Sequence, residues 1–335
     1  MITLFAATGN DVVRLHRDNS GTWSEKSVLT GVGVQCLTID PHDGKRMYAG
    51  TFDNGLFRSD DGGQRWHPAG DGIPHNRILS VAVSPADRSN GMGAVLAGTE
   101  PSSIYRSRDG GETWEDLPSL RDIPSAPTWS FPPRPWTSHV RWIAPHWTDA
   151  NILFAGIELG GVMRSVDAGE TWEDRKPGSY HDSHAIVAHH SATNRVYEAA
   201  GGGVSSSQDT GETWTAVDGG MDRHYVWGLA VDSADPDLWY VSATHSARFA
   251  HGDRESADAV IYRKRGSSPW QALDGGLETP LPVMPYALLA PLDRPGELFA
   301  GMRAGALWHS TNRGESWSPV EVSLPGILAL IARPE

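Results

Sequence analysis

Short runs of apolar and β-branched residues alternate with turns rich in Gly, Pro and Asp along the whole chain. Ile78-Leu-Ser-Val-Ala-Val-Ser-Pro85 is one run, Ala94-Val-Leu-Ala-Gly-Thr99 the next, and Ile104-Tyr-Arg-Ser107 a third; a fourth starts at Trp114. The same order recurs from end to end. It predicts units of four antiparallel strands, here lettered A to D, with no segment of helical periodicity.

The hinge between strands C and D is an octapeptide that repeats. Ser107-Arg-Asp-Gly-Gly-Glu-Thr-Trp114, Ser165-Val-Asp-Ala-Gly-Glu-Thr-Trp172 and Ser207-Gln-Asp-Thr-Gly-Glu-Thr-Trp214 share Ser, Asp, Gly, Thr and Trp at fixed positions. Ser59–Trp66, Ser310–Trp317 and His16–Trp23 are looser copies, and Arg263–Trp270 keeps little beyond the indole. Asp folds its carboxylate back onto turn N–H groups, Gly permits positive φ, and Trp opens the returning strand with a large surface to bury. A turn repeated this often is a scaffold, so its aspartates are read as structural and not catalytic. Closing tryptophans at 23, 66, 114, 172, 214, 270 and 317 give a period in the forties, stretched by insertions.

The two ends of the chain complement each other. Residues 2–8 look like a strand B with no A before it, and Ile327–Arg333 looks like a strand A with no B after it. The expectation is an all-β, seven-bladed β-propeller of four-stranded antiparallel blades. The C-terminal strand A joins N-terminal strands B, C and D, and residues 1–335 form one domain.

Composition narrows the partners. A net charge of −13 argues against a nucleic-acid or anionic-membrane surface. Cys36 is the only cysteine, which excludes an internal disulfide. The start of the chain lacks a basic stretch and has too short an apolar run for a signal peptide, so the expected location is cytoplasmic.

The octapeptides and their spacing resemble the Asp-box (BNR-repeat) propellers, over nearly the whole chain. That group includes sialidases, xyloglucan-cleaving glycoside hydrolases, sortilin-type receptors and photosystem II assembly factors, so the resemblance implies the fold and leaves the task open. Its nearest likeness is to sialidase-like, BNR-repeat glycosyl hydrolase-like proteins. It also implies that catalytic residues lie on the face opposite the Asp boxes, at the mouth of the central channel. The sialidase Arg-Ile-Pro motif is absent, since Arg77 is followed by Ile and Leu; a true sialidase is not expected.

Aligning the repeats shows which residues that mouth receives. The starts of strands A supply Arg77, His139, His184, Tyr225 and Tyr286, with Arg141 two residues beyond His139 and His224 just before Tyr225; the B–C turns supply Glu100, Glu158 and Arg303. Three long connections border them: 117–138, aromatic and Pro-rich with Trp129, Phe131 and Trp136; 245–258, polar and opening at His245; and 275–286. A convergence of Glu, Arg, His and Tyr suits a polar ligand.

Three functions remain open on this reading. In a glycoside-type hydrolase, Glu100 and Glu158 flank the bond, His184 or Tyr225 assists proton transfer, and Arg77, Arg141 and Arg303 hold a carboxylate-bearing substrate. Trp136, His139, His224, His245 and Tyr286 complete the expected substrate contacts. In a lyase, His184 or Tyr225 is the base, with or without a divalent metal. In a binding or assembly propeller, a protein docks on one face. No cofactor is expected, because no short-spaced zinc-type motif is present; a divalent ion enters only where histidines from separate blades meet.

Overall fold

The computed structural model describes residues 1–132, 134, 136–252 and 256–334. Positions 133, 135 and 253–255, within two of the three long connections, lie outside the described residues. The chain forms seven antiparallel sheets arranged as blades in a ring. The innermost strands are Val34–Asp40, Arg77–Ser89, Val140–Pro145, Ser183–Ala188, Tyr225–Val231, Pro285–Leu289 and Ala329–Arg333, and blades are numbered here in that order. Blade 3 keeps only three full strands, its fourth being reduced to the single bridge between Arg164 and Glu173. Among the described residues no helix is long and apolar enough to cross a membrane.

The ring closes as the ends of the sequence predict. Ala329–Arg333 lies antiparallel to Ile2–Ala7, with Thr3 opposite Arg333 and Ala7 opposite Ala329. Ile327 is fully buried, and Leu330 packs with Leu4, Phe299 and Leu307 against blade 6.

The Asp boxes are turns held by their own side chains. In the box of blade 2, Asp109 Oδ1 accepts from the Thr113 N–H at 2.9 Å, and Oδ2 from the Thr113 hydroxyl at 2.5 Å. The Ser107 hydroxyl donates to Asp109 and accepts from the Gly111 N–H, both at 2.7 Å. Asp167 and Asp209 repeat the set, and Asn312 preserves its core with the Ser316 N–H at 2.9 Å. Partial burial opposes ionisation of Asp109, but the hydrogen bonds from Thr113 and Ser107 outweigh it and hold the carboxyl at about 2. In Asp61 the Arg65 N–H is the main cause of a value also near 2.

The box tryptophans join neighbours. Trp114 donates its indole N–H to the Ala69 carbonyl of blade 1, and Trp270 donates to Val217 of blade 4. Trp172, Trp214, Trp270 and Trp317 are buried, whereas Trp23, Trp66 and Trp114 are only half-buried. The recurring Ala-Gly-Thr at the end of strand B has a steric cause. A Cβ on Gly98 would sit 2.7 Å from Val140 Cγ1 of the next blade's inner strand, and one on Gly50 would sit 2.6 Å from the Ile78 carbonyl. Glycine there lets successive blades close up.

Three outcomes follow from these contacts. Truncation before Ile327 removes the closing strand and is expected to abolish cooperative unfolding in a thermal melt, whereas removal of Pro334 and Glu335 leaves it intact. Trp172→Ala is expected to lower unfolding free energy by about 3–5 kcal/mol in denaturant titration, and Trp114→Ala by less. The depressed Asp61 and Asp109 carboxyls contribute stability that is present above pH 4 and lost as pH falls toward 2. Asp109→Asn, which imitates the Asn312 turn, is expected to weaken that acid dependence, read by unfolding titrations across the range.

Candidate functional site

The registers of the strands place strand A starts and B–C turns at one end of the ring, for example Arg77 opposite Glu100, and the Asp boxes at the other. At the first end, six of the seven inner strands slip register against strand B. The slips fall between Val34 and Cys36, Ile78 and Ser80, Val140 and Trp142, Ser183 and Ala185, Val226 and Leu229, and Pro285 and Ala287. The extra residues are Gln35, Leu79, Arg141, His184, Trp227 with Gly228, and Tyr286. A bulge breaks the strict alternation of a strand and re-aims a side chain. Here it recurs blade after blade at the same level and supplies much of the mouth.

Two linked clusters result. In the first, Glu100 is buried beneath two arginines. Arg134 donates to both its oxygens at 2.8 Å, and Arg77 donates at 2.7 Å while also binding Asp53 at 3.0 Å. Phe52 stacks under Arg77 at 4.5 Å, and Phe131 lies 5.0 Å from Arg134. Burial would raise the Glu100 carboxyl, but Arg134 and Arg77 keep it below its ordinary value. His139 stands between the carboxylates. Its Nε2–H donates to Glu158 Oε2 at 2.9 Å, and its Nδ1 lies 3.6 Å from Glu100 Oε2. Glu158 is buried, which opposes ionisation, yet the His139 hydrogen bond, with the Arg141 guanidinium nearby, brings it down to about 2.

The second cluster is aromatic. Tyr225 donates to or accepts from His251 Nε2 at 2.8 Å, and Tyr286 makes a short hydrogen bond with His251 Nδ1. Trp227 sits among them, with ring centroids 4.5 Å from His184, 4.7 Å from His251 and 5.2 Å from Tyr286. Burial, reinforced by the guanidiniums of Arg303 and Arg141, lowers His251 to about 4, although Glu158 opposes this. Burial also raises Tyr225 above its usual range and Tyr286 to about 12. Both phenols and the imidazole are therefore neutral at pH 7. Arg141 lies over the Trp227 ring at 4.8 Å and, among the described residues, makes no hydrogen bond or ion pair. Arg303 donates only to the Gly252 carbonyl, at 2.6 Å, and flanks the Tyr286 ring.

His184 links the two clusters. It is buried, and its Nδ1–H donates to the Val226 carbonyl at 2.6 Å. Its Nε2 has no hydrogen-bond partner and lies 3.4 Å from Asp182 Oδ2. Below the mouth runs a channel cavity of about 350 Å³, whose walls include Leu79, Val81, Leu229 and Leu330.

The expected residues thus divide. Arg77, Glu100, His139 and Glu158 come together, as do Arg141, His184, Tyr225, Tyr286 and Arg303. Trp136 is 82% exposed and borders a shallow depression with Asp53, Arg77 and Arg134. His224 stands 3.5 Å from Asp218, and His245 donates to Asp258 at 2.7 Å; neither touches the two clusters. The expected Glu100–Glu158 pair has an imidazole between its members, with both carboxyls held ionised. Asp182, Arg134, Trp227 and His251 are additions. Asp182 lies inside the His181–His184 run, and Trp227 follows Tyr225 by two positions, so both had a sequence signal. His251 and Arg134 sit in irregular loops without one. In the connection that leads to Arg134, Leu120, Ile123 and Trp129 are buried. The loop bearing His251 contains a short helix, Ala247–His251, that polarity alone did not disclose.

Comparison with known proteins agrees on architecture. Among curated proteins, none matches the chain in sequence. An ancestral GH74 enzyme superposes with a TM-score of 0.65 at 19% identity, over 85% of this chain and 38% of its own. A GH74 enzyme from Niastella koreensis gives 0.54 at 18%, over 98% and 58%. YCF48 bound to D1 peptide gives 0.59 at 17%, over 87% and 81%. The chain thus spans well under two thirds of either GH74 enzyme, and at these identities the likeness is one of fold. The neighbours are mixed, glycoside hydrolases beside YCF48 propellers. Residues 105–116 match the family model of the BNR/Asp-box repeat, in a chain that folds as a seven-bladed β-propeller.

Proposed function

We propose that the mouth binds a small, carboxylate-bearing carbohydrate and cleaves its glycosidic bond. The observation that carries this reading is Arg141. On the same face, Arg77 and Arg134 are spent on Glu100, whereas Arg141 makes no ion pair among the described residues and lies over an indole. A guanidinium in that setting suits a carboxylate bound bidentately, with the sugar ring against Trp227. Arg303 supports it from blade 6. Likeness to GH74 enzymes supports a glycoside-type substrate.

The proton chemistry moves from the carboxyl pair to the aromatic cluster. A glycosidase acid must be protonated when it meets the leaving oxygen, and Glu100 and Glu158 are both held ionised. Neutral His251 donates from one nitrogen and accepts at the other, so one of Tyr225 and Tyr286 donates to the ring. The other receives the ring N–H and is free to direct its own O–H at the substrate. As the glycosidic C–O bond breaks, that phenol hands its proton to the leaving oxygen, water bonds to the anomeric carbon, and the proton the water sheds restores the phenol. Glu158 supplies fixed negative charge nearby, and Glu100 acts as a positioning residue through His139. Elimination is a second reading of the same site. It is favoured by the lack of a protonated carboxyl and by a guanidinium able to neutralise the substrate's carboxylate, which eases removal of the adjacent proton.

Binding is measured by calorimetry on oligosaccharides with and without uronic acid units. The acidic sugar is expected to bind, and Arg141→Ala to weaken it by at least about tenfold with the melting temperature unchanged. Tyr225→Phe is expected to reduce turnover more than affinity. Equal binding of neutral and acidic sugars, or wild-type affinity in the Arg141 variant, sinks the proposal. A product with ultraviolet absorbance from a new carbon–carbon double bond identifies elimination; a new reducing end without it identifies hydrolysis.

A further inference from the structure

Beneath the aromatic cluster, Glu158, Asp182 and His184 each turn one ligand-type atom toward a common point, and these atoms all lie within 4.8 Å of one another. We propose that this trio is a binding site for a divalent transition-metal ion, Mn²⁺ or Zn²⁺, held by one imidazole nitrogen and two carboxylate oxygens.

The strongest support is the state of His184. A carbonyl oxygen can only accept, so the 2.6 Å contact with Val226 fixes the proton on Nδ1 and leaves the Nε2 lone pair for another partner. The side chain is fully buried, and Nε2 finds no hydrogen bond. An acceptor nitrogen left bare in the interior is costly unless something occupies it. Its ring also lies against Trp227 and Tyr225, with centroids 4.5 and 5.0 Å away, which limits its movement.

The outer contacts have the form that metal ligands require. Ligating histidines characteristically donate their other N–H to a carbonyl or carboxylate, and ligating carboxylates are themselves hydrogen-bonded. His184 donates to Val226, Glu158 accepts from His139 at 2.9 Å, and Asp182 Oδ1 accepts from the Leu159 N–H at 3.3 Å. Each ligand is steadied by a contact outside the trio. Ions of this class bind N and O donors at about 2.0–2.2 Å, so neighbouring donors of a tetrahedral ion stand about 3.4 Å apart. His184 Nε2 and Asp182 Oδ2 already stand 3.4 Å apart, and the Glu158 oxygen closes in from within 4.8 Å. One nitrogen and two oxygens match ions intermediate between oxygen-seeking and imidazole-seeking. The two negative charges neutralise a divalent ion, which offsets the repulsion from Arg141. The site is distinct from the Arg141 anchor, and its existence does not depend on which sugar binds there or whether any does.

The test uses the untagged full-length chain, stripped with chelator and titrated with Mn²⁺ and with Zn²⁺ by calorimetry; Mn²⁺ binding is read independently by electron paramagnetic resonance. One ion per chain is expected, with affinity falling as pH drops and protons compete for the ligands. His184→Ala and Asp182→Asn are each expected to weaken binding by more than about tenfold, and His139→Gln by about tenfold through Glu158. Asp182 is partly exposed, so its variant keeps the test valid if the His184 variant does not fold. A stripped wild-type chain that binds neither ion at one-to-one stoichiometry, or a folded Asp182→Asn that binds as wild type, overturns the proposal.

Discussion

Pairing of Ile2–Ala7 with Ala329–Arg333 turns a row of sheets into a ring, and every other feature depends on it. Without it the chain would end in two bare strand edges, and the inner strands would have no shared axis. The residues of the mouth are far apart in sequence, from Arg77 to Arg303, and meet only because the ring is closed. The Asp boxes and the indole bonds between blades set the pitch at which successive sheets approach. Glycines such as Gly98 set how near they come.

On that frame the mouth is assembled by a repeated irregularity. A regular strand sends alternate side chains to opposite faces. The slips at the starts of six inner strands break the alternation at one level and deliver Arg141, His184, Trp227 and Tyr286. Blade 7 lacks the slip and contributes no polar group to either cluster. The resulting electrostatics are graded. Arginines on the blade 2 side are consumed by Glu100, while Arg141 and Arg303 lie beside neutral phenols without an ion pair among the described residues.

The fold was legible because it is written many times over. Seven variants of one octapeptide, and terminal strands that complement each other, leave little freedom in architecture. The site is written once, in residues with no repeat to check them. Positions at strand starts and B–C turns could be aligned between blades, which brought out Arg77, Glu100, His139, Glu158, His184, Tyr225 and Tyr286. Their roles could not be read in that way, because the His139 ring that separates Glu100 from Glu158 is a matter of side-chain packing. Loops have no register, so Arg134 and His251 were hidden within stretches notable only for proline or polarity. His224 and His245 had the right composition and neighbourhood, but each is engaged by a carboxylate at the surface.

The channel under the mouth has a further consequence. Its walls are largely aliphatic, with Leu79, Val81, Leu229 and Leu330 among them, and a hydroxyl-rich molecule passing along it would surrender its hydration without finding replacements. A hydrophilic guest is therefore better served at the upper end of the cavity, where Arg141, Trp227 and Tyr286 also line it.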